Sequence, residues 1–146
     1  MRKEQVQVGT VVIISLATGC WAHQGGTYPF TGTPLVPGAI GSVVLKDRDK
    51  PNKTVEIQVH HLARPGELSA EARPHNTPPA QTYVVWLEPK GTNRPENIGV
   101  LTPDSNLDAQ ITAMTTQSQF TIFVTAEPTD TQLSPTGQRL LEASVD

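Results

Sequence analysis

Four histidines, one cysteine and two strand-end glutamates are the residues here whose types point to chemistry. The histidines are His23, His60, His61 and His75. Imidazole is a common ligand of zinc and copper. His60 and His61 are neighbours in a strand-like run, where successive side chains point to opposite faces. They share an ion only across a bulge, or with His75 joining them. Their phase favours a different outcome. Val55, Ile57 and Val59 mark one apolar face, His61 continues that phase, and Leu62 falls out of it. A bulge at His60–His61 returns Leu62 to the core and turns both imidazoles to solvent. No metal or other cofactor is therefore expected, and His60, His61 and His75 stand as the alternative ligand set.

The other candidates point away from catalysis. Glu88 and Glu127 each precede a proline at the end of an apolar run. Facing carboxylates would suit glycoside hydrolysis, but this placement reads as loop edge. Asp104-Ser105-Asn106 opens like a calcium loop but lacks its glycine and distal glutamate, so it reads as a turn. No Gly-x-Ser-x-Gly, His-Glu-x-x-His, Walker or Rossmann pattern occurs. A single cysteine excludes an internal disulfide and a cysteine-based zinc cage. The net charge is −3 with no lysine or arginine cluster, so no nucleic-acid partner is expected. The chain is not read as an enzyme, and no catalytic residue is assigned.

Cys20 has a more definite context. Arg2 and Lys3 open the chain, a mostly apolar run follows from Val6 to Ala17, and small residues lead into the cysteine. This is the layout of a secretory signal. The run falls short of the roughly 20 residues that a membrane-spanning helix needs. Ala17-Thr18-Gly19-Cys20 resembles the lipobox of bacterial lipoproteins, with Ala17 where leucine is usual. The resemblance implies cleavage before Cys20, and acyl chains such as palmitate on the cysteine. Several acyl chains would anchor the protein stably to a membrane, facing the periplasm or exterior.

The elements beyond the signal are short. Thirteen prolines and eleven glycines in 146 residues call for many turns and little helix. Residues 20–39 are read as the lipidated cysteine and a Gly/Pro-rich tether, with Tyr28-Pro29-Phe30 folding back on the domain. From residue 40 to 146, β-rich runs alternate with turns. Strands are expected at 42–46, 54–62, 83–87, 97–101, 107–113, 120–126 and 141–145. Tyr83 to Leu87 is apolar on both faces and predicts a strand covered on each side. Trp86 and Val124 are expected core residues. Seven strands with no helix between them predict an all-β, immunoglobulin-like β-sandwich. A short helix is conceivable around Ser69–Ala72. The long Pro-rich loop Ala63–Gln81, with Arg64, Arg73 and His75, is the expected functional surface.

Several of these runs line up with a known family. Tyr83-Val84-Val85-Trp86-Leu87, then Ile98-Gly99-Val100-Leu101, then Phe120 to Val124-Thr125-Ala126-Glu127-Pro128, then Ser134-Pro135-Thr136-Gly137 follow in order. Together they resemble the C-terminal extracytoplasmic domain of anti-sigma-K factors (the RskA type). The resemblance covers about residues 40–145. It implies a β-sandwich without a catalytic centre, outside the cytoplasmic membrane, with an envelope protein as partner. The family's zinc-linked sigma-binding domain and transmembrane helix have no counterpart in this sequence, so sigma-factor inhibition does not carry over. The expected role is a lipid-anchored interaction or sensing domain of the cell envelope. The alternative is a periplasmic metal or small-ligand binder.

Overall fold

A computed structural model describes residues 25–47, 51–68 and 79–146. Cys20, His23, His75, the conceivable helix at 69–72 and most of the loop between 63 and 81 lie outside them. The described residues form nine strands: β1 (Gly26–Pro29), β2 (Thr31–Gly32), β3 (Ile40–Asp47), β4 (Lys53–His60), β5 (Thr82–Pro89), β6 (Glu96–Leu101), β7 (Ala109–Thr115), β8 (Phe120–Glu127) and β9 (Leu141–Val145). A single 3-10 turn, Pro65–Glu67, interrupts them. Two antiparallel sheets result, one in the order β1-β3-β4-β7 and the other β2-β9-β8-β5-β6.

Side-chain alternation explains how the sheets pack. Val43, Leu45, Val55, Ile57 and Val59 face inward from the first sheet. Tyr83, Val85, Leu87, Ile122, Val124, Leu141, Ala143 and Val145 meet them from the second. Burying each large apolar side chain contributes roughly 1.5–3 kcal/mol, so this interior dominates the stability. Val124 is in it, as expected.

β5 is covered on both faces, and the second cover comes from a loop. Val84 and Trp86 point away from the inter-sheet core and form a second cluster with Phe123 and Val100. Trp86 and Phe123 are cross-strand partners, their rings stacked with centroids 6.4 Å apart. The segment 128–140 is tied back to this side of the sheet. Asn97 Nδ2 donates to the carbonyls of Asp130 and Gln132, at 3.0 and 3.1 Å.

The tether reading requires correction. From residue 26 onward this segment belongs to the sandwich. β1 pairs with β3 in one sheet, the chain crosses at Phe30, and β2 pairs with β9 in the other. Tyr28 and Phe30 pack against the core and Val36 is buried. Tyr28-Pro29-Phe30 does fold back, with Tyr28 and Pro29 ending β1 and Phe30 making the crossing to β2. Backbone ladders with β3 and β9 hold the segment in place, and apolar periodicity does not mark it, because Gly and Pro dilute it.

Candidate functional site

The end of the first sheet gathers most of the polar groups singled out above. β4 stops at His60, and His61 takes a left-handed backbone conformation with φ 59°. That kink returns Leu62 to the core, where it is fully buried, and leaves both imidazoles exposed. The expected slip in phase is therefore present, as a strand end instead of a bulge within the ladder.

The facing loop is built around Asp104. Its carboxylate accepts the backbone N–H groups of Asn106 and Asp108, at 2.8 and 3.0 Å. This is the turn expected at Pro103–Asn106, with an aspartate holding backbone donors nearby. The expected strand at 107–113 begins only at Ala109. Leu107 lies in the turn, left-handed at φ 65°, and its carbonyl accepts the N–H of Leu62 at 2.9 Å. A branched residue seldom adopts that conformation. Here two hydrogen-bonded segments fix it on either side.

The loop carries Asp108 to His60. Nδ1 of His60 lies 2.8 Å from Oδ1 of Asp108. A carboxylate only accepts, so Nδ1 holds the proton and donates. Gln58, Asp104, Ala109 and Gln110 complete an open depression of about 260 Å³. The side chains of His60 and Asp108 remain 51% and 43% exposed, so the pair is solvated. Among the described residues no group of three or more His, Cys, Asp or Glu side chains could hold a metal ion. His60 and His61 are therefore not joined in one ligand set here, and His75 lies outside the described residues.

The two glutamates part company. Glu88 pairs across the ladder with Thr121, and Glu127 with Thr82. They stand at opposite ends of the β5–β8 ladder, on the order of 20 Å apart by strand rise. They do not form a carboxylate pair. Glu88 is bound by Arg139 at 3.2 Å, and the same guanidinium lies 3.8 Å from the Phe123 ring centre and reaches Glu142 at 3.2 Å.

Glu127 corrects the loop-edge reading, because it is fully buried. Oε1 accepts from the Thr125 hydroxyl at 2.6 Å and from the N–H groups of Thr136 and Gly137 at 2.9 and 3.1 Å. Oε2 accepts from the Thr136 hydroxyl. Thr125 in turn accepts the indole N–H of Trp86 at 2.8 Å. A side chain at Gly137 would meet the Ala126 carbonyl at 2.6 Å, so only glycine fits. Apart from the Thr125 hydroxyl, the donors come from nine and ten residues downstream, which is why strand pattern alone gave no sign of them.

A larger depression, about 470 Å³, runs beside β9 and is lined by Pro29, Thr31, Thr33, Arg139 and Leu141 among others. Its one guanidinium is already committed to Glu88 and Glu142. Among the described residues the buried hydroxyl of Thr33 has no hydrogen-bond partner. Tyr83 is also structural: its hydroxyl donates to the Ala63 carbonyl. Burial, and secondarily the charge of Glu67, pushes its ionisation well above the ordinary range. No family model matches this sequence, and no curated protein matches it.

Proposed function

We propose that this chain is a non-catalytic interaction or sensing domain of the cell envelope, held to a membrane by acyl chains on Cys20. The observation that carries the reading is a spacing. The sole cysteine ends the signal-like run, and the first strand begins at Gly26, six positions on (26 − 20 = 6). Six extended residues reach about 20 Å at most. An anchor at Cys20 would hold the sandwich close to the bilayer surface, within reach of membrane-embedded partners.

The residues behind the anti-sigma-K resemblance support it at the level of fold. Trp86, Thr125, Glu127, Thr136 and Gly137 meet in one hydrogen-bonded network. Such residues determine how a loop closes over a sheet, and a shared fold does not bring a shared partner. The partner proposed here is an envelope protein, with no nucleic acid and no cofactor.

Metabolic labelling with a clickable fatty acid tests the anchor. Label is expected on the wild-type chain and not on Cys20→Ala, which should also leave the membrane fraction. Equal labelling of both would overturn the reading.

A second reading, ligand binding at His60, is favoured by one observation. Two left-handed, non-glycine residues, His61 and Leu107, converge on the His60–Asp108 pair. Backbone strain of this kind gathers at binding sites. Metal analysis of the protein purified without a histidine tag decides it: stoichiometric zinc or copper lost in His60→Ala supports it, and a metal-free protein sinks it.

A further inference from the structure

The strand ladders sort the connections of the sandwich onto two ends. At the first, Gly26 of β1 lies opposite Leu45, close to where β3 finishes at Asp47. β4 starts and β7 finishes there, with Lys53 opposite Thr115. β5 finishes and β8 starts at the same end, with Pro89 opposite Phe120. The turn after β5 meets the connection between β7 and β8, where the N–H of Lys90 donates to the Gln119 carbonyl at 3.0 Å. The opposite end holds His60, paired with Ile40, and Glu127, paired with Thr82. The His60–Asp108 pair and the Asp104 turn stand there.

The chain enters at the first end and is already held at Gly25. A side chain there would collide with the Leu45 carbonyl, so the backbone lies hard against β3. Five residue steps separate Gly25 from Cys20 (25 − 20 = 5), a reach of about 18 Å at most. From Lys46, beside Gly25, to Ile40 at the far end, β3 rises about 20 Å. The Asp104 turn lies beyond Ala109, the last ladder position of β7 on that side. With Cys20 at a bilayer surface, an inverted sandwich would need a longer link than these residues provide.

Charge separates the two ends as well. Lys53, Lys90 and Arg94 stand at the first, and the sequence between Asp47 and Pro51 adds Arg48 and Lys50. The acidic groups there are Asp47, Asp49, Glu96 and Asp146, the last already beside Lys90 at 3.4 Å. Among the described residues the far end exposes Glu67, Asp104 and Asp108 against one guanidinium, Arg64, which itself lies 3.8 Å from Glu67. We infer that the sandwich stands end-on, with its Lys53, Lys90 and Arg94 end against anionic lipid headgroups and its His60–Asp108 corner directed away from the membrane. This rests on the proposed anchor at Cys20. The short link removes the inverted pose. Lying on its side, the domain would bring its acidic far end as close to the surface as its basic end. An anionic surface attracts the one and repels the other within a Debye length, which favours the upright pose.

The test uses the full chain purified from membranes and reconstituted into phosphatidylcholine vesicles with and without phosphatidylglycerol. With Cys20 acylated, a cysteine introduced elsewhere is the sole free thiol. Ser118→Cys marks the first end and Ser105→Cys the far end, and both serines are exposed. Each variant carries a fluorophore, and lipids with a nitroxide on the headgroup quench it. In phosphatidylglycerol vesicles the Ser118→Cys label should be quenched several-fold more than the Ser105→Cys label. Adding Lys90→Glu and Arg94→Glu, or omitting phosphatidylglycerol, should reduce that difference. Equal quenching of the two labels, or stronger quenching at Ser105→Cys, overturns the inference while a chain that still floats with the vesicles leaves the anchor intact. A difference indifferent both to the charge reversals and to phosphatidylglycerol overturns the assignment of anionic headgroups. A chain that does not float overturns the anchor and this inference together. If the charge-reversed chain fails to fold, the comparison of the two lipid compositions decides.

Discussion

Glu127 and Asp108 are both carboxylates at strand ends, the first met by Thr125 and by the loop nine and ten residues on, the second by His60 from another strand. Their surroundings set them apart. Glu127 is buried, with both oxygens occupied by hydroxyl and backbone donors. Asp108 is 43% exposed and holds one imidazole. In a dry setting each missing partner leaves an unsatisfied group, so the network is costly to break. In a wet setting water replaces a lost partner, and the pair adds little stability. The first corner fixes the fold. The second is open to exchange partners.

The sharpest way to break this contrast is at the buried corner. Trp86→Ala removes a fully buried indole and should cost about 3–5 kcal/mol, a large share of the roughly 5–15 kcal/mol that holds a domain together. Urea denaturation gives the figure, and a loss below about 1 kcal/mol would place little weight on the outer cluster. Glu127→Ala should come next, at about 3 kcal/mol, because it strands several donors at once. Protease sensitivity within 128–140 should rise with it. A variant as resistant as wild type would show that the loop closes without the carboxylate.

Tyr83 allows a test by pH. Its folded-state ionisation is raised by burial, while in the unfolded chain it ionises near 10. The stability it contributes is complete below about pH 10 and is lost as pH rises beyond that, because only the unfolded state then releases the proton. Tyr83→Phe should flatten this alkaline decline. An unchanged decline would assign it to other groups.

The exposed corner should give the smallest effects. His60→Ala and Asp108→Asn should each change stability by less than about 1 kcal/mol. Asp104→Ala should exceed both, since its carboxylate holds two backbone N–H groups that keep Leu107 left-handed. If His60→Ala matched Glu127→Ala, the distinction between the corners would fail.

How much of this was legible in the sequence follows from the range of each interaction. Period-2 alternation marked four of the seven strands from residue 40 onward, at 54–62, 107–113, 120–126 and 141–145, because it records which side of a sheet is buried, while 83–87 stood out as apolar on both faces and 42–46 and 97–101 as short runs bounded by turns. The slip at Leu62 marked the kink at His61 for the same reason. β1 and β2 left no such trace: four and two residues are too few for a period, and glycine and proline fill them. Glu127 was misread because its preceding Val-Thr-Ala run resembles any strand end. Its partners arrive only after the chain turns at Ser134–Gly137. The Leu107 conformation was equally hidden, since Leu107 shares the phase of Ala109 and Ile111 and only the Asp104 turn removes it from the strand.

The crossing at Phe30 also sets an order in time. Thr31 pairs with Glu142, across most of the chain. During synthesis the first strands therefore emerge long before the partner that completes their second sheet. Closing so long a loop is entropically expensive and slows folding. Until residue 142 has been made, one edge of β9's sheet has neither its strand nor its cap, and a chain cut short anywhere before that point is left without a finished second sheet.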